Sequence, residues 1–262
     1  MYNFNFHSPS SLDEAINIYN NSDDPKFLAG GMTLLASMKQ RLIAPSDLID
    51  IRNIKNLSEV IIDGESIKIG ALYSHHSLSI NEDINSKIKN LAKLANGIGD
   101  PAVRKMGTIG GSIANSDPAA DWPAAILALN SNINTNIRSI KNIDFFTGMF
   151  ETLLADDEII TSIDIKIPDL FDYKKFPNPA SRYAIVGVAI AKYNNDVTVA
   201  VSGASHTPFI AKGLSEFLSE NFSSDIPKNT VSKDDLNEDI HASAEYRANL
   251  IDVLTQQILK NN

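Results

Sequence analysis

The alternation of apolar and polar residues near the start of the chain predicts a helix, a strand and a second helix. Ser11-Leu12-Asp13-Glu14 has the form of a capping box, so we expect a helix from there to about Tyr19. The apolar run 26–29 leads into Gly30-Gly31 and predicts a strand that ends in a turn. A helix should start at this glycine step, because apolar residues recur beyond it at helical spacing, at Leu34, Leu35, Met38 and Leu42.

The middle of the chain predicts further strands and helices. Residues 47–51 are typical of a buried strand, and the runs 57–62 and 66–70 flank Asp63-Gly64-Glu65, which is a hairpin signal. One amphipathic helical face spans 84–95. A polar stretch with several glycines, 97–107, leads into a second Gly-Gly step. A short helix at 122–129 and a strand at 159–167 follow.

The pattern changes beyond residues 168–179, which contain three prolines and are predicted to be a domain boundary. The apolar runs 183–193 and 197–201 flank Asn194-Asn195-Asp196 and predict a hairpin. Two helical faces follow, at 210–218 and 246–258. The C-terminal part, about ninety residues long, is therefore predicted to be a β-hairpin followed by helices.

Composition narrows the range of functions. The 262 residues carry a formal net charge of −9, which argues against nucleic-acid binding because that needs clustered Lys and Arg. Without cysteine, this chain has no ligands for Fe–S clusters or Cys-bound zinc, and its five histidines form no metal-binding pair. The adjacent His75 and His76 are expected at the surface or at a helix start. With no signal-peptide pattern and no apolar run of about 20 residues, we expect a cytoplasmic protein without a membrane span.

The candidate chemistry lies in the two glycine steps, about 80 residues apart. Residues 29–35 read AGGMTLL and residues 108–121 read TIGGSIANSDPAAD. Glycine lets backbone N–H groups approach an anion closely. One such step is typical of an ordinary turn, but two in a small domain indicate a ligand with a long phosphate bridge. Neither the P-loop GxxxxGK[ST] nor the Rossmann GxGxxG is present.

These two segments resemble the FAD-binding loops of the medium subunit of molybdenum hydroxylases, a family with carbon monoxide, xanthine and aldehyde dehydrogenase-type complexes. The resemblance covers essentially the whole chain in order, with further matching segments at 97–107, 145–160, 178–184 and 241–247. It implies an α+β fold: an FAD-binding domain of the PCMH, or vanillyl-alcohol-oxidase-like, type at 1–170, with subdomains of about 1–55 and 56–170. A small sheet-plus-helices domain of the carbon monoxide dehydrogenase flavoprotein type would occupy 171–262.

The resemblance also implies roles for individual residues. Backbone N–H groups of residues 29–33 would wrap the FAD pyrophosphate, and residues 108–112 would form the second phosphate-contacting loop. Asp121 would lie near the sugar and phosphates, Ile98 and Ile160 would pack on the cofactor, and Lys175 and Tyr183 would approach the isoalloxazine. The predicted cofactor-binding residues are Ala29, Gly30, Gly31, Met32, Thr33, Ile98, Thr108, Ile109, Gly110, Gly111, Ser112, Asn115, Asp121, Ile160, Lys175 and Tyr183. No catalytic or metal-binding residue is predicted.

The chain departs from the family pattern at two positions. Met32 stands where Gln or His is frequent, and Ser112 stands where Asn is frequent; both are expected to act through backbone N–H groups. Structural roles also remain open. Asp117 and Asp121 would serve equally as caps of the helix at Trp122. Residues 156–158 are typical of a solvated turn, and Trp122 is typical of a core residue. Lys174-Lys175 would also fit a charged edge, and Ser181-Arg182 and Tyr183 would fit purely structural positions.

The function implied by the resemblance is electron transfer within a complex. A large molybdenum–pterin subunit would oxidise the substrate, and a small subunit would relay electrons through two [2Fe–2S] clusters to the FAD of this chain. The acceptor would be NAD, a quinone or oxygen, and the assembly a dimer of heterotrimers. Two other hypotheses are a stand-alone FAD-dependent oxidoreductase and a scaffold subunit that has lost flavin.

Overall fold

A computed structural model describes all residues, 1–262, and its strands and helices are numbered here in chain order. The first sheet is parallel, with the order β1-β3-β2. Helices α1 and α2 belong to this part of the chain, and α2 directly follows the first glycine step. The elements are β1 (Asn5–His7), α1 (Leu12–Asn20), β2 (Pro25–Leu28), α2 (Leu34–Lys39) and β3 (Asp47–Asp50), followed by 3-10 turns at Ile51–Asn53 and Lys55–Ser58.

The capping box at the start of α1 is confirmed. The Ser11 hydroxyl accepts the Glu14 N–H at 3.2 Å, and the Glu14 carboxylate accepts the backbone N–H of Ser10 at 2.8 Å. These bonds satisfy N–H groups that a helix start leaves without partners. The local sequence therefore determines where α1 begins.

The second sheet is antiparallel, with the order β4-β5-β10-β6-β7. Seven helices and a two-stranded ribbon, β8 with β9, are inserted between its strands. The elements are β4 (Val60–Asp63), β5 (Ser66–Gly70), α3 (His75–Ser79), α4 (Glu82–Lys87), α5 (Lys89–Asn96), α6 (Pro101–Met106), α7 (Ile109–Asn115), α8 (Asp121–Ala128), β6 (Ser131–Thr135), β7 (Ser139–Lys141), α9 (Asn142–Phe145), β8 (Phe146–Gly148), β9 (Glu151–Thr152) and β10 (Ile160–Lys166).

The third sheet has the order β11-β12-β13-β14 and is also antiparallel. Its central hairpin is the one predicted around Asn194-Asn195-Asp196, and both predicted C-terminal helices are present. The elements are β11 (Leu170–Pro177), β12 (Ala184–Tyr193), β13 (Asp196–Ser202), β14 (Phe209–Ile210), α10 (Lys212–Glu220), a 3-10 turn at Lys233–Asp235, and α11 (Ala244–Leu259). The mixed helix and sheet content confirms the α+β prediction.

Three segments differ from the sequence prediction. The helical face 84–95 is divided between α4 and α5, because Ile88 leaves the helical region with φ −133° and ψ 74°. The polar stretch 97–107 contains α6, which Asp100 caps and Pro101 opens. The stretch 168–179, predicted as a domain boundary from its prolines, contains a strand, β11, with which the third sheet begins. Proline is tolerated there because β11 is an edge strand and Pro177 stands at its end.

The second and third sheets share one core. Ile67 and Ile163 of the second sheet belong to the same buried cluster as Phe171 and Ala189 of the third, with Trp122 among them. Every residue of α8 is buried, as expected for a helix that is apolar on all sides, and α8 packs against β12 and β13. The opposite face of the third sheet packs on α10 and α11. None of the helices combines the length and apolar character that crossing a bilayer requires.

Candidate functional site

A cleft of about 630 Å³ lies where the two glycine segments meet the turn between β11 and β12. Its volume is within the usual range for small-molecule sites. Of the sixteen predicted cofactor-binding residues, fourteen line it and two, Ile109 and Lys175, do not. The fourteen are Ala29, Gly30, Gly31, Met32, Thr33, Ile98, Thr108, Gly110, Gly111, Ser112, Asn115, Asp121, Ile160 and Tyr183.

The first glycine segment presents free backbone donors. The N–H groups of residues 29–33 donate to no acceptor within the chain. Gly31 has φ +72°, a conformation that favours glycine, and a Cβ on Gly30 would collide with the Met106 carbonyl oxygen. The glycines therefore hold this segment against α6 with a row of N–H groups that a bound anion can accept from.

The second glycine segment is helical, and this corrects the expectation of a second N–H loop. It forms the start of α7, where Thr108 caps the N–H of Gly111 at 3.1 Å and accepts that of Ser112 at 3.0 Å. Ile109 and Gly110 donate their N–H groups to the carbonyls of Tyr73 and Ala71. Of the N–H groups from 108 to 112, only that of Thr108 has no acceptor in the chain.

Side chains of α7 offer donors in place of its backbone. The Ser112 hydroxyl and the Asn115 amide line the cleft and make no hydrogen bond within the chain. The expectation that Ser112 acts through its N–H is therefore wrong, because helix formation uses that group. Ile109 is fully buried in the core and does not line the cleft, although its neighbours Thr108 and Gly110 do.

Asp121 does not cap α8; it accepts two side-chain hydrogen bonds from β11. Its carboxylate takes the Tyr173 hydroxyl at 2.5 Å and the Lys175 ammonium at 2.9 Å. Burial raises the pKa of Asp121, and the charge of Lys175 offsets part of this rise. Burial also raises the pKa of Tyr173, and the nearby charge of Asp121 adds to the effect. Lys175 thus supports Asp121 from behind the cleft wall and is not a charged edge.

The turn between β11 and β12 closes the cleft from the C-terminal side. Lys175 donates to the carbonyl of Arg182 at 2.9 Å, and the Arg182 guanidinium donates to the carbonyl of Gly99 at 2.9 Å. These bonds place Tyr183 in the cleft, where 43% of its surface remains exposed. Burial raises the pKa of its hydroxyl, and the charges of Asp117 and Asp121 add to this. Ser181 and Arg182 therefore belong to the cleft wall as well as to the turn.

Asp117 also lines the cleft, although the sequence suggested only a cap. Its carboxylate accepts the N–H of Ala119 at 2.9 Å, which organises the entry to α8. Burial raises the pKa of this carboxyl.

Two polar residues of the cleft are more buried than the sequence indicated. His75 stands at a helix start, as one of the two alternatives predicted, but it is buried and not at the surface, and it accepts the indole N–H of Trp122 at 3.1 Å; the core prediction for Trp122 is confirmed. The solvated turn predicted at 156–158 is present at 156–157, with Asp156 exposed, but Glu158 is buried. Arg138 donates to it at 2.7 Å and holds the pKa of its carboxyl down at about 2. Neither position carries a sequence pattern that signals burial.

Other lining residues were not among the predicted cofactor-binding residues; some lie within the segments that match the family and others come from distant parts of the chain. They are Lys26, Phe27, Leu34, Ile51, Ala71, Leu72, Gly99, Val103, Gly107, Ala114, Ala120, Leu154 and Ile159. Many are apolar, so the cleft combines free donors at the glycine segments with apolar walls. Such a lining suits a long ligand with both anionic and flat aromatic parts.

Comparison with known proteins agrees with this geometry. The family described as "FAD binding domain in molybdopterin dehydrogenase" matches residues 2–169. The chain is 33% identical to the glyceraldehyde dehydrogenase medium chain of Sulfolobus acidocaldarius, over 98% of this chain and 97% of that protein. It is 31% identical to the nicotine 6-hydroxylase medium subunit of Paenarthrobacter nicotinovorans, over 96% and 94%.

The fold matches solved structures over its full length. Superposition on carbon monoxide dehydrogenase from Hydrogenophaga pseudoflava gives a TM-score of 0.88 at 28% identity, covering 98% of this chain and 96% of that one. The family match spans more than half of the sequence, and the relatives are matched nearly end to end. The chain therefore belongs to the FAD-binding medium subunits of the molybdenum hydroxylase family.

Proposed function

We propose that the chain holds FAD in the cleft between its glycine segments and serves as the electron-transferring flavin subunit of a molybdenum hydroxylase complex. The observation that carries this proposal is the run of five N–H groups, at residues 29–33, without acceptors in the chain. A pyrophosphate supplies acceptors for such a row, and its charge is stabilised by converging N–H dipoles. Backbone donors allow a chain with a net charge of −9 to bind an anion without a cluster of cationic side chains.

The donors and walls of the cleft fit the parts of FAD. The 29–33 N–H groups, the Ser112 hydroxyl and the Asn115 amide would hold the phosphates and sugar. Ile98 and Ile160 provide apolar surface for the ring systems, and Tyr183 would contact the isoalloxazine from the C-terminal side. Asp121 would accept a hydroxyl hydrogen bond, while Lys175 and Tyr173 keep its carboxylate fixed.

Bound FAD would take up electrons from iron–sulfur clusters of a partner and release them to an external acceptor. A large molybdenum–pterin subunit and a small subunit with [2Fe–2S] clusters are the proposed partners, in a dimer of heterotrimers. The terms medium chain and medium subunit in the names of the relatives support this arrangement. NAD, a quinone and oxygen are the candidate acceptors.

A charge introduced at Ser112 tests the site. Ser112→Asp would place a carboxylate beside the pyrophosphate, and Coulomb repulsion of about 4 kcal/mol for unit charges at 4 Å in a partly buried site predicts FAD binding at least tenfold weaker. Ser112→Asn is the matched control, because it has nearly the same shape without the charge and is frequent in the family. Its FAD affinity should stay within about threefold of that of the unaltered chain. Titration followed by flavin fluorescence measures both affinities, and equal affinities of the two variants would contradict the proposed phosphate site.

A further inference from the structure

His75 and Trp122 form a buried pair behind the glycine segments. His75 is the first residue of α3 and is 4% exposed, and Trp122, on α8, is fully buried. The indole N–H donates to Nδ1 of His75 across 3.1 Å. The pair therefore connects α3 with α8, the helix that follows the second glycine segment.

This hydrogen bond fixes the tautomer of His75. An indole N–H only donates, so Nδ1 must accept with its lone pair, and the proton of a neutral imidazole must lie on Nε2. The ring is neutral near pH 7, because burial, with a smaller contribution from the charge of Arg104, lowers the pKa of His75 to about 4. His75 thus holds one donor, Nε2–H, in a fixed direction.

Nε2–H has no acceptor within the chain, although His75 lines the cleft. The ring lies against Gly107: a Cβ built there would be 2.9 Å from Nε2. Gly107 also touches the first glycine segment, since a Cβ on Gly30 would lie 2.8 Å from its Cα. The free Nε2–H of His75 therefore lies where the two glycine segments approach each other. Nε2 is not among the fully buried polar atoms that lack a partner, so it opens to the cleft, and an acceptor of a ligand bound there can take its hydrogen bond.

We propose that the Nε2–H of His75 donates a hydrogen bond to an oxygen of the FAD pyrophosphate, and that Trp122 is a positioning residue that fixes the required tautomer. This inference rests on the proposed function, that the cleft holds FAD. A neutral donor suits the position, because it binds a phosphate oxygen without burying a second positive charge near Arg104.

The tautomer is measured directly with the full chain labelled with nitrogen-15 in histidine. Long-range proton–nitrogen NMR spectra should show the His75 proton on Nε2, and addition of FAD should shift the Nε2 resonance much more than that of Nδ1. A proton on Nδ1, or an Nε2 resonance that FAD leaves unchanged while the chain binds it, would overturn the inference. This measurement requires no variant.

A matched pair of variants tests the donor itself. The amide nitrogen of His75→Gln reaches about the place of Nε2, whereas His75→Leu has no donor; Gln keeps an amide oxygen as an acceptor and Leu has none, so the stability of the flavin-free variants is compared as well. We expect FAD binding within about threefold of the unaltered chain for Gln and at least tenfold weaker for Leu. Equal melting temperatures of the two flavin-free variants confirm comparable folding.

The outcomes separate the two proposals. If the unaltered chain binds FAD and the Gln and Leu variants bind it equally well, the role of His75 is wrong and the proposed function stands. If neither the unaltered chain nor its assembled complex binds FAD, the proposed function fails, and the role of His75 fails with it.

Discussion

The two glycine pairs contribute different groups to the cleft. Gly30 lets the backbone of the first segment lie against the end of α6, Gly31 adopts φ +72°, and the N–H groups of this segment stay free. Gly110 instead allows α7 to lie directly on Ala71, where a side chain would collide. Free donors thus come from the backbone on one side of the cleft and from Ser112 and Asn115 on the other. A phosphate bridge between the segments would be held by both kinds of donor.

Gly30→Ala should damage both stability and flavin binding. The added methyl group would collide with the Met106 carbonyl oxygen, and overpacking of this kind costs about 1–3 kcal/mol. Urea denaturation of the flavin-free chain measures the loss of stability, and an FAD titration measures the loss of affinity. Gly213→Ala is the control, since its Cβ would lie 3.7 Å from the nearest atom within α10 and should stabilise the chain by about 0.5–1 kcal/mol. If the Gly30→Ala variant is as stable as the unaltered chain, the close contact with the Met106 carbonyl oxygen is contradicted.

Lys175→Met tests the support of Asp121. This change leaves a buried carboxylate with only the Tyr173 hydroxyl, and breaking a buried ion pair typically destabilises by about 3–5 kcal/mol. The double variant Asp121→Asn with Lys175→Met should recover part of that loss, because no charge then stays buried without a partner. Urea denaturation of the flavin-free chains measures the coupling. If the losses of stability of the two single variants add up to that of the double variant, Asp121 and Lys175 are not energetically coupled, which would contradict the ion pair.

Sequence identified the residues of the site better than their roles. The two Gly-Gly segments, together with the family resemblance, led to sixteen predicted residues, of which fourteen line one cleft. Whether a given N–H is free depends on distant carbonyls, such as those of Ala71 and Tyr73 that accept from α7, and no local pattern reveals these. For the same reason sequence gave no sign that His75 pairs with Trp122.

Elements with local signals were predicted more reliably than those fixed by distant contacts. The cap at Ser11 and the hairpin around Asn194-Asn195-Asp196 are set by neighbouring residues, and both are present. The break at Ile88 opposes a continuous helical pattern, so the periodicity alone joins α4 and α5. The prolines at 168, 177 and 179 suggested a boundary, but only Pro177 lies within β11, at its end and at a sheet edge that only the fold reveals.

Glu158 links the turn between β6 and β7 to the segment before β10 through hydrogen bonds. Its carboxylate accepts from Arg138, the Thr135 hydroxyl and the Ala155 N–H. The pKa of this group is about 2 in the folded chain, below its ordinary value of 4.5, chiefly because of the Arg138 hydrogen bond. A lowered pKa gives stability that is complete above about pH 4.5 and declines as the pH falls towards 2.

Glu158→Gln should therefore destabilise the chain in a pH-dependent manner. At pH 7 we expect a loss of about 1–3 kcal/mol, because the charge-assisted hydrogen bonds are weakened. The difference from the unaltered chain should shrink between pH 4.5 and pH 3, as protonation removes the same charge. Urea denaturation at several pH values measures it. A difference that is constant over this range would contradict the lowered pKa.

At the scale of the whole molecule, the third sheet contributes to the core of the second sheet and to one wall of the cleft. It shares a buried core with the second sheet, and the N–H groups of Ala184 and Gly203 donate to the carbonyls of Ala119 and Pro118, just before α8. A division of the chain near residue 170, as the resemblance implies, would thus separate segments that complete each other's core. The same contacts hold Asp121 and Tyr183 on one cleft wall.

A fragment of residues 1–169 should be much less stable than the full chain. Loss of the third sheet would expose α8, which is buried along its entire length, together with its neighbours in the core. We expect the fragment to aggregate or to be digested rapidly by protease, while the full chain resists and its second and third sheets unfold in one transition. A soluble, protease-resistant fragment with a sharp unfolding transition would contradict the shared core.

The most direct test is the flavin content of the chain, purified alone and with its partner subunits. After desalting, the visible absorption spectrum should show flavin bands, and FAD released by denaturation should amount to one equivalent per chain, at least in the assembled complex. Ser112→Asp should lower this content and Ser112→Asn should preserve it. A chain that stays colourless in the assembled complex, even after incubation with FAD, would contradict an FAD site between the glycine segments.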